Sequence, residues 1–142
     1  MLHVKDIMTK DIFVLYANDD LDLVQTLIKS RHTRYIPIVD NEGLFVGLIT
    51  HRDLLSLTVS RLATMNNNGH GSLNGHMPIR KIMQSGILTA DPEMNLFSAL
   101  SIFLKNAVGC LPVLSKRKLV GILTEADFLK LTYDYLRIFE NE

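Results

Sequence analysis

A chain of 142 residues that is 47% hydrophobic can bury a core, which excludes a disordered or fibrous protein. Lys and Arg match Asp and Glu at 15 each, so no net charge attracts nucleic acid or an anionic membrane. The single cysteine, Cys110, excludes an intrachain disulfide and suits a reducing compartment. No apolar run approaches the roughly 18 residues of a membrane span. Lys5 and Asp6 put charge where a signal peptide needs its apolar segment. These features predict a cytoplasmic protein with no membrane and no nucleic-acid partner.

In chain order, "VKDIM" predicts a short helical turn and "IFVLY" (12–16) a short strand. Asp20 is placed as an N-cap, and Leu21, Val24, Leu27 and Ile28 then recur at helical spacing. "YIPIV" turns through "DNEG" into "LFVGLI", which predicts a β-hairpin, and a second helix starts after Thr50. The polar, Asn/Gly-rich "NNNGHGSLNG" (66–75) predicts a linker loop. The order then recurs: a turn at "IRKIM", a strand at "GILTA", an N-cap at Asn95, and a helical stripe of Leu96, Ala99, Leu100 and Phe103. A hairpin of "LPVL", "SKRK" and "LVGIL" follows, and a helix begins after Thr124.

The recurrence is an internal repeat. Ile7-Met8 matches Ile82-Met83, Ile12 matches Ile87, Leu21 matches Leu96 and Pro37 matches Pro112. After a one-residue deletion, Val46-Gly47 matches Val120-Gly121, Thr50 matches Thr124 and Asp53 matches Asp127. The expected organisation is repeat 1 at 1–62, a linker at 63–77 and repeat 2 at 78–142, each repeat running β-α-β-β-α. The expected class is α/β, of the α+β type.

The repeated "GLITHRD" and "GILTEAD" each set Asp three residues after Thr at a strand-to-helix junction. One reading is a capping box, with each side chain accepting from the other residue's amide. That box prefers Glu or Gln at its last position, whereas both copies use the shorter Asp. Gly47 and Gly121 lie within the preceding strands, where glycine often marks close approach by a ligand or another backbone. The other reading is a nucleotide site. The helix N-terminus and the Thr hydroxyl suit a phosphate, and the Asp can accept from both hydroxyls of a ribose.

The repeat order and these motifs, with "MTKDIFVL", "RHTRYIPIVDNEG" and "GCLPVL", resemble the CBS domain, named for cystathionine β-synthase. Two such domains in tandem form a CBS pair, or Bateman module, and the resemblance runs from about Val4 to Tyr135. It implies one pseudo-two-fold module that binds adenosine nucleotides in clefts between paired repeats. It places Thr50 and Thr124 on phosphate, and Asp53 and Asp127 on ribose. It puts adenine near Ile12, Tyr35 and Ile36 in one half, and near Ile87, Cys110 and Leu111 in the other. It also implies a disc-shaped homodimer joined through second-helix faces such as Leu54, Leu55, Leu57, Phe128, Leu129 and Leu131.

The halves differ in charge. The resemblance implies that Arg34, with His51 and Arg52, surrounds the first phosphate position, whereas Gly109, Glu125 and Ala126 stand at the matching places of the second. The first half is therefore expected to hold nucleotides more tightly. No general base, metal cluster or nucleophile converges on these motifs. His70 and His76 lack a third ligand, Cys110 lacks a base and reads as a core thiol, and Met8, Met83 and Met94 read as core. The expected function is a non-enzymatic sensor that needs no cofactor, takes AMP, ADP or ATP as ligand, and acts on a protein partner the sequence does not name. The rival is a ligand-free interaction module in which Thr-x-x-Asp only caps helices.

Overall fold

The computed structural model describes residues 1–31, 33–57 and 77–140. The linker expected at 63–77, apart from Met77, lies outside these residues, as does the His70–His76 pair. In chain order the elements are α1 (Val4–Ile7), β1 (Leu15–Tyr16), α2 (Leu21–Arg31), β2 (Tyr35–Val39), β3 (Phe45–Thr50), α3 (51–57), a 3-10 turn (Ile79–Lys81), α4 (Leu96–Asn106), β4 (Cys110–Ser115), β5 (Lys118–Thr124) and α5 (Glu125–Glu140). The first repeat runs β-α-β-β-α as expected, and the second keeps α-β-β-α with its first strand reduced to a bridge.

The elements gather into two compact units that do not follow the repeats. One is continuous, Phe13–Ile87; the other joins Met1–Ile12 to Leu88–Glu142. The lead-in of each repeat thus packs with the strands of the other repeat. Val4 is fully buried beside Leu111, Val113 and Leu123, and Ile79 is fully buried beside Ile36, Ile38 and Ile49. Burial of one such side chain stabilises its unit by about 1.5–3 kcal/mol.

In the continuous unit the strand order is β1-β2-β3, with β1 parallel and β3 antiparallel to β2. The five-residue strand expected at 12–16 shrinks to Leu15–Tyr16, and its counterpart at 86–90 to a single bridge, Ala90–Val113. Proline accounts for both. Leu15 pairs with Ile38 and Ala90 with Val113, so Pro37 and Pro112, which have no N–H, stand where the next pair would form. At the other end the chain turns, with the Tyr16 amide donating to Asp19 Oδ2 at 2.8 Å.

The hairpins match each other. In β2–β3, Ile38 pairs with Gly47 and Val39 with Phe45, which leaves Val46 bulged. In β4–β5, Val113 pairs with Gly121 and Leu114 with Leu119, which leaves Val120 bulged. The first turn is closed by Asp40 Oδ1, which accepts from the Glu42 and Leu44 amides at 2.9 Å each. The second turn has only Lys116 and Arg117 between its strands, both left-handed at φ 51° and 69°.

Both expected N-caps form. Asp20 Oδ1 accepts from the Asp22 amide at 3.2 Å, and Asn95 Oδ1 from the Phe97 amide at 2.7 Å. Leu21 and Val24 enter one core, and Leu96, Ala99 and Phe103 are buried on the other side of the repeat. Leu100 departs from the expected stripe: it is exposed, as are Phe97 and Leu104. Leu54 is core, whereas Leu55 and Leu129 are exposed. Met8, Met83 and Met94 pack against the cores as expected.

Candidate functional site

The Thr-x-x-Asp motifs lie where β3 runs into α3 and β5 into α5. At the first, the Thr50 amide donates to Asp53 Oδ2 at 2.9 Å and the Asp53 amide donates to Thr50 Oγ1 at 3.1 Å. This is the reciprocal capping box. At the second, the Thr124 amide donates to Asp127 Oδ2 at 2.9 Å, while the Thr124 hydroxyl turns toward the same oxygen at 3.4 Å. Among the described residues the Thr50 hydroxyl hydrogen has no acceptor. Asp53 and Asp127 are both half-buried.

Each carboxylate also meets a side chain from the opposite repeat's lead-in. Gln84 Nε2 donates to both oxygens of Asp53, at 3.0 Å each. Thr9 Oγ1 donates to Asp127 Oδ1 at 2.9 Å. The sequence reading missed these two residues, although both follow the matched Ile-Met pairs and so occupy equivalent positions.

The glycines explain how the lead-ins come so close. Leu48 and Gln84 exchange backbone hydrogen bonds of 2.9 and 2.8 Å, and Thr9 and Ile122 exchange two of 2.9 Å. A Cβ on Gly47 would stand 2.6 Å from Met83 Sδ and 2.9 Å from the Gln84 carbonyl oxygen; one on Gly121 would stand 2.5 Å from Met8 Sδ. The close neighbour that each glycine admits is therefore another stretch of this chain.

His51 and Arg52 open α3, and Arg34 immediately precedes β2. The His51 amide donates to the Arg34 carbonyl at 2.9 Å, which joins the residue just before β2 to the first turn of α3. Arg34, His51 and Arg52 are exposed, and among the described residues none is in an ion pair. At the matching place the Glu125 amide reaches the Gly109 carbonyl at 3.4 Å, and the exposed side chain is acidic.

The residues expected around adenine divide differently. Tyr35, Ile36 and Ile87 belong to the continuous unit; Ile12, Cys110 and Leu111 belong to the two-segment unit. Ile36 and Leu111 are core side chains and offer a ligand no side-chain surface, whereas Ile12, Tyr35 and Ile87 are half-buried. Burial pushes the Cys110 thiol up to about 12, so it stays protonated and unreactive at neutral pH. Among the described residues no His, Cys, Asp or Glu cluster could hold a metal, and no helix is long and apolar enough to cross a membrane.

The CBS domain model matches residues 4–60 and 79–134, and the chain belongs to the CBS domain family. A CBS domain-containing protein of Dictyostelium discoideum is 30% identical over 129 residues, which is 90% of this chain and 89% of that protein. A structure described as an acetoin utilization protein (AcuB) of Vibrio cholerae is 28% identical with a TM-score of 0.81, covering 100% of this chain and 98% of that one. The CBS domain pair of protein MJ0100, in complex with 5-methylthioadenosine and S-adenosyl-L-methionine, is 25% identical with a TM-score of 0.72, covering 92% and 99%.

Proposed function

We propose that this chain is a regulatory sensor that binds adenosine-containing nucleotides at its Thr-x-x-Asp junctions. The observation that carries the reading is the pair of half-buried carboxylates, Asp53 and Asp127, each held at the start of a helix where a strand ends. The adenosine ligands of the MJ0100 pair support the ligand class. Each Asp would accept from the 2′ and 3′ hydroxyls of a ribose. Two first-turn amides of α3 are already engaged, by the Arg34 carbonyl and the Thr50 hydroxyl. Phosphate would therefore rest on the Thr50 hydroxyl hydrogen and on Arg34, His51 and Arg52. Within their own units, the half-buried Tyr35 and Ile87 are the apolar candidates for a base in the Asp53 unit, and Ile12 is the candidate in the Asp127 unit. AMP, ADP and ATP are the proposed ligands, and occupancy would be passed on by a change in shape or assembly.

The same reading takes the assembly to be a homodimer. Leu55, Phe97, Leu104, Leu129 and Ile138 are all exposed, and in the two-segment unit an apolar groove of about 500 Å³ is lined by Leu100, Phe128 and Leu131 among others. Exposed apolar side chains in this number, with an apolar groove in one unit, support an interface.

The reciprocal box at Thr50 and Asp53 favours a second reading, in which the motif only caps α3 and the module binds protein. A thermal-shift screen with AMP, ADP, ATP, NAD and S-adenosylmethionine separates the two. A ligand at a hundredfold its Kd stabilises the folded state by about 2.7 kcal/mol. An adenosine ligand that raises the melting temperature of the native chain, but not of the doubly substituted Asp53→Ala, Asp127→Ala chain, supports the sensor. No shift with any of the five returns the motif to capping.

A further inference from the structure

We infer that Gln84 is a built-in competitor for the Asp53 carboxylate, and that Gln84 and Thr9 set how readily each unit accepts a vicinal diol. The inference rests on the proposed nucleotide reading and concerns which of its two carboxylates is open. A diol uses both oxygens of a carboxylate, one per hydroxyl. Gln84 Nε2 lies 3.0 Å from both oxygens of Asp53, in the position a pair of hydroxyls would need. Its backbone is pinned by the exchanged bonds with Leu48, so the side chain stays within reach, yet it is exposed and can swing clear. Thr9 meets Asp127 differently. It donates to Oδ1 alone, and its own oxygen keeps lone pairs that can accept from a sugar hydroxyl. At the same place in the repeat, one residue covers the carboxylate and the other leaves it approachable. The ligand class is a nucleoside with an intact 2′,3′-diol; at Asp127 it needs only the Thr9 and Thr124 hydroxyl hydrogens, on Oδ1 and Oδ2, to rotate away, whereas at Asp53 the Gln84 side chain has to move.

The test is calorimetric titration of the full chain with AMP and with 2′-deoxy-AMP, with Asp53→Ala and Asp127→Ala identifying the two binding events. Gln84→Thr, which installs the residue of the other repeat, should tighten the Asp53-dependent AMP event about tenfold, the worth of one displaced hydrogen bond to a charged group. It should tighten 2′-deoxy-AMP binding distinctly less, since that ligand offers the carboxylate one hydroxyl instead of two. Thr9→Gln should weaken the Asp127-dependent event by a similar factor. Gln84→Ala, which removes the amide without a new hydroxyl, should reproduce the tightening. An Asp53-dependent event that both Gln84 variants leave unchanged or weaken would show that Gln84 orients the carboxylate instead of covering it, and the inference fails alone. No AMP event in the native chain or in either Gln84 variant would overturn the nucleotide reading and the inference together.

Discussion

Replacing Gly47 by alanine puts a methyl carbon 2.6 Å from Met83 Sδ, 2.9 Å from Met83 Cγ and 2.9 Å from the Gln84 carbonyl oxygen. Met83 is flexible and can yield. The carbonyl cannot yield so easily, because it accepts from the Leu48 amide at 2.9 Å while the Gln84 amide donates back at 2.8 Å. Overpacking of this kind costs about 1–3 kcal/mol, and each strained backbone bond adds up to about 1 kcal/mol. Removing glycine from a strand returns about 0.5–1 kcal/mol. The net cost of Gly47→Ala should be about 2–3 kcal/mol. At Gly121 the nearest backbone atom, the Thr9 oxygen, is 3.1 Å away and the closest contact is the end of Met8, so Gly121→Ala should cost about 1 kcal/mol less. Urea denaturation followed by far-ultraviolet circular dichroism measures both. With a slope of about 2 kcal/mol/M, Gly47→Ala should lower the midpoint by roughly 1 M. A Gly47→Ala chain as stable as the native one, or a Gly121→Ala chain that is the weaker of the two, would refute the backbone argument.

Arg117→Gly should stabilise the β4–β5 hairpin by about 0.5–1 kcal/mol, read as a higher urea midpoint, because a left-handed φ of 69° costs arginine more than glycine. Arg52→Glu copies Glu125 into the first junction and should cut the ratio of ATP to AMP affinity at the Asp53-dependent event about fivefold by calorimetry, leaving the Asp127-dependent event unchanged. Cys110 should resist thiol-specific reagents at pH 8 until urea unfolds the chain. Its thiol pKa is raised from 9.0 to about 12 on folding, so its contribution to stability is complete below about pH 9 and lost as pH rises toward 12, as a pH series of urea midpoints would show. Under the proposed homodimer, light scattering should give a dimer mass for the native chain at micromolar concentration and a monomer mass for Leu129→Glu, with no lower urea midpoint, since the side chain is 71% exposed in the single chain.

Local signals carried what was legible in the sequence. Periodicity located α2 and α4, single residues announced both N-caps, and paired apolar runs placed the hairpins. The first strands were overread because apolar β-formers say nothing about the partner; Pro37 and Pro112, each in a strand that was correctly read, are what cut the ladders short. Leu100 fits a helical stripe yet faces out, since spacing alone does not choose between two apolar faces of one helix. Gly47 and Gly121 were read correctly as points of close approach, but the approaching group could not be named, because it arrives from the lead-in of the other repeat. Thr9 and Gln84 were missed for the same reason. Thr9 lies 118 positions from Asp127 and Gln84 lies 31 from Asp53, and only the alignment of the two repeats marked the position.

The exchange of lead-ins has a consequence for synthesis. Domains fold as units, generally from the N-terminus, while the chain emerges at about 5–20 residues per second. Phe13–Ile87 is contiguous, so it can close as soon as it leaves the ribosome. The first twelve residues have emerged before it, but their partners come last: Lys5 pairs with Glu93 across 88 positions and Thr9 with Asp127 across 118. Closing such long loops costs more entropy than any contact inside the contiguous unit. The leading segment therefore waits, with Val4 uncovered, until the final helix is made. In a growing chain that interval is when this protein is most exposed to misassembly with a neighbour carrying the same unpaired segment.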